Sequence, residues 1–276
     1  MPYDFRVVPN QGGSDYFAAV AKAVAEVRTP YCMRADDDDF LGDGIGHCMG
    51  FLDRHADYVA AFGRVAGFTL YDPKSTEMRQ GKINRRFLYY AAEDLSQATA
   101  QERLKAGANK LWVYYAIHRT EALQTITREI AEINFSDLLL YEAFHTMRTL
   151  TLGKVHLDEW TVSYYRQHGT TSSGPSAGTW SASFLRSNFT ADAAAMEKII
   201  PGTTEALEEK LRQFLCATFC DWQRLKWRIQ GAYPGIYWAM QNRWRYFAWL
   251  ESWRCGEILK TEEWERISEI CRSLRY

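Results

Sequence analysis

The stretch Thr29-Pro30-Tyr31-Cys32-Met33-Arg34-Ala35-Asp36-Asp37-Asp38-Asp39 decides how this chain is interpreted. It begins with a helix stop, because proline disfavours helical geometry at the residue before it. Residues 31–35 then predict a short strand, and four consecutive aspartates follow directly. Open α/β sheets hold their ligands at the carboxyl ends of their strands. The stretch therefore predicts a strand with an acidic site at its end.

The residues before this stretch predict the rest of a βαβ unit. Residues 5–9 form a short extended run, and the turn signal Asn10-Gln11-Gly12-Gly13 closes it. Ser14 can cap a helix in which apolar residues recur every three or four positions. Those residues are Phe17, Val20, Ala21, Val24 and Val27.

The residues after the aspartates continue the alternation of strands and helices. We expect helices at about 44–55, 120–132 and 136–150, extended runs at 58–70, 111–117, 153–157 and 161–166, and a polar loop at 72–95. Gly, Ser and Thr dominate residues 169–183, which favours a loop or linker, and the pattern from 184 onward is helical. We therefore predict an α/β domain over 1–170, a linker over 171–183 and a helical C-terminal subdomain over 184–276.

Composition and charge exclude several classes of protein. The chain has 276 residues, of which 47% are hydrophobic and 24% charged, so it is not a disordered protein. Its 33 Lys and Arg against 34 Asp and Glu disfavour a general nucleic-acid binder. No apolar run is long enough to span a membrane, and the first residues lack the apolar core of a signal peptide. We therefore expect a cytoplasmic protein, with contact at the inner face of the membrane as a variant.

The six cysteines are scattered, without a CxxC pair, and are expected to be reduced. Cys216 and Cys220 lie four residues apart on a predicted helix and could offer two metal ligands. No second pair accompanies them, which disfavours a zinc site.

The aspartate run has two interpretations. Neighbouring like charges repel and raise one another's pKa, so a solvated acidic turn is the simpler one. Carboxylate oxygens also suit Mg²⁺ or Mn²⁺, which proteins hold through one or two carboxylates and substrate phosphates. The position after a strand favours the metal site.

Residues 10–13, the following helix and residues 29–41 resemble the acidic-motif region of family-2-type glycosyltransferases with the GT-A fold. In that family a D-x-D motif binds the divalent metal and the diphosphate of a nucleotide-sugar. The resemblance assigns Asp36 and Asp38 to the D-x-D, with Asp36 also contacting the diphosphate. Asp39 is the following acidic residue and a further metal ligand.

A second group of segments resembles the same family. These are residues 137–144, 151–155 and 162–168, which look like its acidic helix start, its Gly-Lys-Val strand and its Tyr-x-Arg-x-His segment. The resemblance makes Glu142 the first candidate for the catalytic base and Asp137 the second. It also makes His168 a metal ligand, and Arg166 could bind a phosphate bidentately. Their alternatives are a solvated helix residue for Glu142, an ion pair for Arg166 and a strand-end histidine for His168.

The resemblance covers residues 5–172 and implies both a fold and a function. The fold is α/β, a GT-A-like (Rossmann-like) mixed sheet flanked by helices. The function is Mn²⁺- or Mg²⁺-dependent transfer of a sugar from a nucleotide-sugar donor to a glycan or lipid-linked acceptor, with inversion. The chain begins at what resembles the third or fourth strand of that fold, so the family's first βαβ segment is expected to be missing. That favours the alternative, a GT-A-derived module that binds or interacts without turnover.

The C-terminal region is rich in tryptophan and in basic residues. Residues 222–254 hold six of the ten tryptophans and six Lys or Arg against one Glu. Such a composition suits a membrane interface or a protein partner. It also suits rings that pack a helical appendage on the α/β domain, and we favour packing.

Overall fold

The computed structural model describes residues 16–36, 39–70, 83–89, 94–107, 111–135, 138–168, 189–203 and 261–273. Over these residues the chain is a mixed α/β protein. The helices are α1 (Tyr16–Ala25), α2 (Gly44–Arg54), α3 (Ala100–Gly107), α4 (Thr120–Ile133), α5 (Leu138–Leu152), α6 (Phe189–Ile199) and α7 (Thr261–Ser273), with a 3₁₀ helix at Leu111–Tyr115. The strands are β1 (Tyr31–Cys32), β2 (Asp39–Leu41), β3 (Tyr58–Leu70), β4 (Ile83–Tyr89), β5 (Ile117–Arg119) and β6 (Lys154–His168).

The strands of the described residues form one mixed sheet in the order β1-β5-β3-β6-β2, and β4 pairs with β3 beyond this path. The long strands β3 and β6 run parallel, and the other pairs are antiparallel. Gly63 lies opposite Asp158, whereas the next residue, Arg64, lies opposite Val162. Residues 159–161 therefore bulge out of β6. A bulge of this kind changes which face the following side chains occupy.

The two faces of the sheet carry separate cores. Ala60 belongs to the large core beneath α4 and α5, whereas its neighbour Ala61 packs with Cys48 and Leu52 of α2. Successive strand residues point to opposite faces, so α2 covers the face opposite α5. Further along β3, Phe68 packs with Ile267 of α7 in a third cluster. We call the two sides the α5 face and the α2 face.

Helix α4 illustrates why the large core forms. Its buried residues Leu123, Ile126, Thr127 and Ile130 follow the three-to-four spacing of an apolar helix stripe. The helix ends at Asn134, which adopts the left-handed conformation at φ 54° and donates its backbone N–H to the Ile130 carbonyl. Asparagine tolerates this conformation better than most residues, so it is a suitable helix end.

Most long elements predicted from periodicity are confirmed. The helix predicted from Ser14 onward is α1, and those predicted at 44–55, 120–132 and 136–150 are α2, α4 and α5. The extended run at 58–70 is β3. A mixed sheet flanked by helices is therefore confirmed as the general architecture.

Several local predictions are wrong. Residues 111–115 form a 3₁₀ helix rather than a strand, because a uniformly apolar run has no periodicity to separate the two. There Trp112 packs its ring on Phe62 at 5.0 Å between centroids. The predicted loop at 72–95 contains β4. This segment is polar in sequence, but its backbone hydrogen-bonds to β3 and so forms a strand. The strand predicted at 31–35 stops at Cys32, and the two predicted at 153–157 and 161–166 are one bulged strand.

Parts of the predicted organisation lie outside the described residues, namely the first strand at 5–9, the linker at 171–183, the Cys216–Cys220 pair and the tryptophan-rich span 222–254. At the beginning of the predicted C-terminal subdomain, Ala193 and Met196 of α6 join the large core. The division into domains stays a prediction. No helix in the described part of the chain combines the length and apolarity needed to cross a membrane.

Candidate functional site

One tyrosine hydroxyl connects the two described ends of the aspartate run. The backbone N–H of Asp36 donates to the hydroxyl of Tyr164 at 3.1 Å, and that hydroxyl donates to Oδ2 of Asp39 at 2.8 Å. Burial raises the pKa of Tyr164, and the charges of Asp39 and Asp36 raise it further against the hydrogen bond from Asp36. The phenol therefore stays a protonated donor at neutral pH and holds the run in place.

A second tyrosine holds the carboxylate of Asp36 itself. The hydroxyl of Tyr115 donates to Oδ2 of Asp36 at 3.1 Å. The rings of Tyr115 and Tyr164 pack together, with centroids 4.9 Å apart. Residues far apart in sequence, at the end of the 3₁₀ helix and on β6, thus fix the start of the acidic run.

Arg34 places a positive charge two residues before the acidic run. Its guanidinium carbon lies 4.6 Å from the ring centroid of Tyr114, 5.3 Å from that of Tyr141 and 5.4 Å from that of Tyr16. A cation over aromatic faces is attracted by the ring quadrupole. Its Nη1 is buried without a hydrogen-bond partner among the described residues. The three rings therefore hold this side chain mainly through cation–π contacts.

Glu142 lies on α5, half-buried between the buried residues Tyr141 and Ala143. Burial raises the pKa of Tyr16, and the negative charges of Asp36 and Glu142 raise it further. The phenol of Tyr16, whose residue is 43% exposed, is thus within electrostatic reach of both carboxylates. The fold brings Asp36 and Glu142 into one neighbourhood, although 105 residues separate them in the sequence.

Strand pairing brings the Tyr-x-Arg-x-His segment to the aspartate run. In the antiparallel pair of β2 and β6, Asp39 lies opposite Arg166. His168 lies at the end of β6, opposite Thr69 of β3. The side chains of Arg166 and His168, and all of Asp37, Asp38 and Asp137, lie outside what the structure describes. The roles expected of Arg166, His168, Asp38 and Asp137 stay predictions.

The chemistry of the described donors fits a hard divalent cation. Asp36 and Asp39 offer carboxylate oxygens, which Mg²⁺ and Mn²⁺ prefer, together with substrate phosphates. Among the described residues, no group of three or more His, Cys, Asp or Glu side chains is arranged to hold a metal ion. Asp38 and the His168 side chain, which the resemblance adds to the ligand set, lie outside the described residues.

Two buried histidines lie behind the tyrosines. The ring of His145 packs edge-on against Tyr114 at 4.9 Å and against His118 at 5.0 Å. Nδ1 of His118 lies 2.8 Å from the Ala116 carbonyl oxygen, which can only accept, so we assign the proton to Nδ1. Burial lowers the pKa of His118 to about 4, and burial with the charges of His118 and Arg34 holds that of His145 well below its usual value. Both rings are neutral parts of the core.

The sequence analysis missed the tyrosines that organise this site. Tyr16, Tyr114, Tyr115 and Tyr141 carry no motif of their own. Tyr164 is the tyrosine of the Tyr-x-Arg-x-His segment, so its motif was a usable signal. The first, third and fifth residues of a strand share one face, so the motif itself could have indicated a role for its tyrosine.

Comparisons with protein-family models and with curated proteins give no guide to the function of this site. No protein-family model matches the chain, and no curated protein matches it significantly. Any function must therefore be argued from the residues described above.

Proposed function

We propose that the chain is a metal-dependent glycosyltransferase of GT-A-like fold. It moves a sugar from a nucleotide-sugar donor to a glycan or lipid-linked acceptor, with inversion. The observation that carries the proposal is that the charges of Asp36 and Glu142 both act on the phenol of Tyr16, so the two carboxylates lie in one neighbourhood. The pairing of Asp39 with Arg166 supports it by bringing the two predicted motifs together.

The proposed chemistry assigns one carboxylate to the acceptor and others to the donor. Glu142 takes the proton of an acceptor hydroxyl, whose oxygen then bonds to the anomeric carbon as the bond to the diphosphate breaks. Asp137 is the second candidate for this role. Arg166 binds phosphate oxygens bidentately. A divalent cation held by Asp36 and Asp38, with Asp39 and His168, would neutralise charge on the leaving diphosphate.

The tyrosines and Arg34 supply positioning in this proposal. The hydroxyls of Tyr115 and Tyr164 fix the acidic run through hydrogen bonds to Asp36 and Asp39. Arg34 offsets part of the repulsion among the four aspartates, because its guanidinium is held only two residues away. Prepositioned groups need little reorganisation during the reaction.

A second candidate function is a binding module without turnover. A specific observation favours it: the carboxylates of Asp36 and Asp39 each already accept a hydrogen bond from a tyrosine hydroxyl. Carboxylates engaged in this way can serve a structural role. This module would bind a glycan or a protein partner, and the tryptophan-rich span is a candidate contact surface, including at a membrane.

Calorimetry with a panel of nucleotide-sugars, in Mn²⁺ and in chelator, tests the proposal. We expect one donor to bind at least about tenfold more tightly with Mn²⁺, a difference of about 1.4 kcal/mol. Asp38→Asn should lose this gain, whereas Asp43→Asn, an exposed carboxylate on the next turn of chain, should keep it. Equal affinity in chelator contradicts the metal role.

Product analysis with the same donor separates the two candidates. A transferase converts donor and acceptor into nucleoside diphosphate and an extended glycan. A donor that binds with the cation but is never consumed, with any acceptor offered, favours the binding module.

A further inference from the structure

A polar cleft lies on the α2 face of the sheet, between α2 and β6. Its volume is about 360 Å³. Besides Leu157, its lining residues are His47, Phe51, Arg54, His156, Asp158 and Glu159. None of them has a role in the proposed transfer.

The cleft and the aspartate run lie on opposite faces of the sheet. Val155 and Leu157 belong to the large core on the α5 face, so alternation turns His156 and Asp158 to the α2 face. After the bulge, Tyr164 belongs to the large core again. On β3, Ala61 lies opposite His156 and Val65 lies opposite Tyr164. These two β3 residues are four residues apart, which is about 13 Å along a strand. The cleft is therefore separate from the site around Asp36.

The structure orients the imidazole of His156 from two sides. Its Nδ1 lies 2.9 Å from Oδ1 of Asp94, and the same oxygen accepts the backbone N–H of Leu157 at 2.6 Å. Burial alone would raise the pKa of Asp94, but the hydrogen bonds from His156 and Leu157 lower it. The ring of Phe51 stacks on the imidazole, with centroids 3.6 Å apart and planes 10° apart. A ring held by a carboxylate and an aromatic face has one orientation.

The hydrogen bond to Asp94 also decides which nitrogen can meet a ligand. The Asp94 carboxylate only accepts, so we assign the proton of His156 to Nδ1. The other nitrogen, Nε2, then carries the lone pair. Because Nδ1 faces Asp94, which is not part of the lining, we assign Nε2 as the acceptor that the ring offers to the cleft.

The charges of the lining residues indicate the kind of ligand that the cleft can bind. Arg54 contributes one positive charge, and Asp158 and Glu159 contribute two negative charges, so with neutral histidines the lining is net negative. An anion is therefore disfavoured. The lining combines the donors of Arg54 with acceptors from three other side chains, of which the Asp158 carboxylate also accepts from Thr161 at 2.9 Å. A sugar matches such a lining, because each of its hydroxyls both donates and accepts.

We propose that the cleft between α2 and β6 binds a neutral sugar, one hydroxyl of which donates to Nε2 of His156. Arg54 donates to a second oxygen, and Asp158 and Glu159 accept from others. This binding needs no residue of the proposed transfer site, so it persists whether or not the chain turns over a nucleotide-sugar.

Imidazole resonances in an NMR titration of the full chain test the proposal. The probes are the methyl glycosides of glucose, galactose, mannose and N-acetylglucosamine, each titrated to roughly 50 mM. This concentration saturates a weak site with a Kd of about 1 mM. We expect one glycoside to shift the His156 resonances saturably. The buried rings of His118 and His145 should stay unshifted as internal references. If no glycoside shifts His156, or if inorganic phosphate does so instead, the proposal is overturned.

Matched variants locate the binding. Arg54 and Glu159 are exposed, so Arg54→Gln and Glu159→Gln should fold normally and weaken glycoside binding about tenfold each. Arg128→Gln changes an exposed arginine of α4 and should leave the affinity unchanged. Equal affinity in all three variants would place the glycoside elsewhere and overturn the proposal. Measuring donor turnover in the same Arg54→Gln protein keeps this result separate from the proposed function.

Discussion

The two faces of the sheet use the same residue types in different ways. On the α5 face, His118 and His145 are buried, and the hydroxyls of tyrosines hold Asp36 and Asp39. On the α2 face, His47 is exposed and His156 is half-exposed beside a cleft. Among the described residues, the long helices α4 and α5 cover the first face, whereas the shorter α2 and α7 pack on the second. A histidine is buried in the core where helices pack over it and is accessible to a ligand where it lines a cleft. Residue type alone does not decide between these positions.

The largest expected effect tests the chemistry assigned to the α5 face. Glu142→Gln keeps size and hydrogen bonding but removes the basic oxygen, so turnover should fall about 10²–10⁴-fold while donor binding persists. Steady-state rates and calorimetry on one preparation measure both quantities. Glu132→Gln, an exposed change on α4, is the matched control. Unchanged turnover in Glu142→Gln would transfer the role to Asp137 or remove it.

Lowering the pH should lower the free energy of unfolding through the buried ring of His118. His118 has a pKa of about 4 when folded, whereas an unfolded histidine has a pKa of about 6.5. Below pH 6.5 the unfolded chain binds a proton that the folded chain excludes, so stability falls as the pH falls. Between pH 7 and 4 this one residue should lower the free energy of unfolding by roughly 3 kcal/mol.

Urea unfolding of the native protein and of His118→Gln across this pH range checks the prediction. His118→Gln removes the titrating ring. The free energy of unfolding should therefore fall by roughly 3 kcal/mol less between pH 7 and 4 in the variant, even if the variant is less stable at pH 7. Parallel curves for native protein and His118→Gln would contradict the assignment of His118.

A smaller effect is expected from the tyrosines that hold the aspartate run. Tyr164→Phe removes the hydroxyl that accepts from the Asp36 N–H and donates to Asp39, which should lower the free energy of unfolding by about 1–3 kcal/mol. Tyr115→Phe removes one hydrogen bond and should lower it by about 1 kcal/mol. Urea unfolding at pH 7 compares them. The reverse order would mean that Tyr115, rather than Tyr164, organises the run.

The smallest effects should come from ion pairs. On the α5 side, Arg148 forms two hydrogen bonds with the half-buried Glu129, at 2.7 and 2.8 Å. Arg148→Met should lower the free energy of unfolding by about 1 kcal/mol. Nζ of Lys154 and Oδ2 of Asp57 form a more exposed side-chain contact at 2.6 Å, so Lys154→Met should lower the free energy of unfolding less than Arg148→Met. This smaller effect should disappear in high salt. Equal losses in the two variants would contradict the comparison of the faces.

Periodic segments were predictable because local spacing determines them. The apolar stripe of α4 and the extended run of β3 are visible in the sequence without knowing their neighbours. Residues 111–115 were not predictable, because an unbroken apolar run suits a buried strand and a buried helix equally. Nor was the bulge at 159–161, which depends on the register between β3 and β6.

The sequence by itself determined the mixed α/β class, the position of the acidic run and the candidate Glu142. Only the tertiary structure decided that the charges of Asp36 and Glu142 both act on the phenol of Tyr16, and that Asp39 lies opposite Arg166. It also decided which histidines are buried and which line a cleft. Periodicity records which side of an element is apolar, but not which elements meet. Contacts between distant residues depend on strand order and register, which the whole chain settles together when its apolar faces are buried.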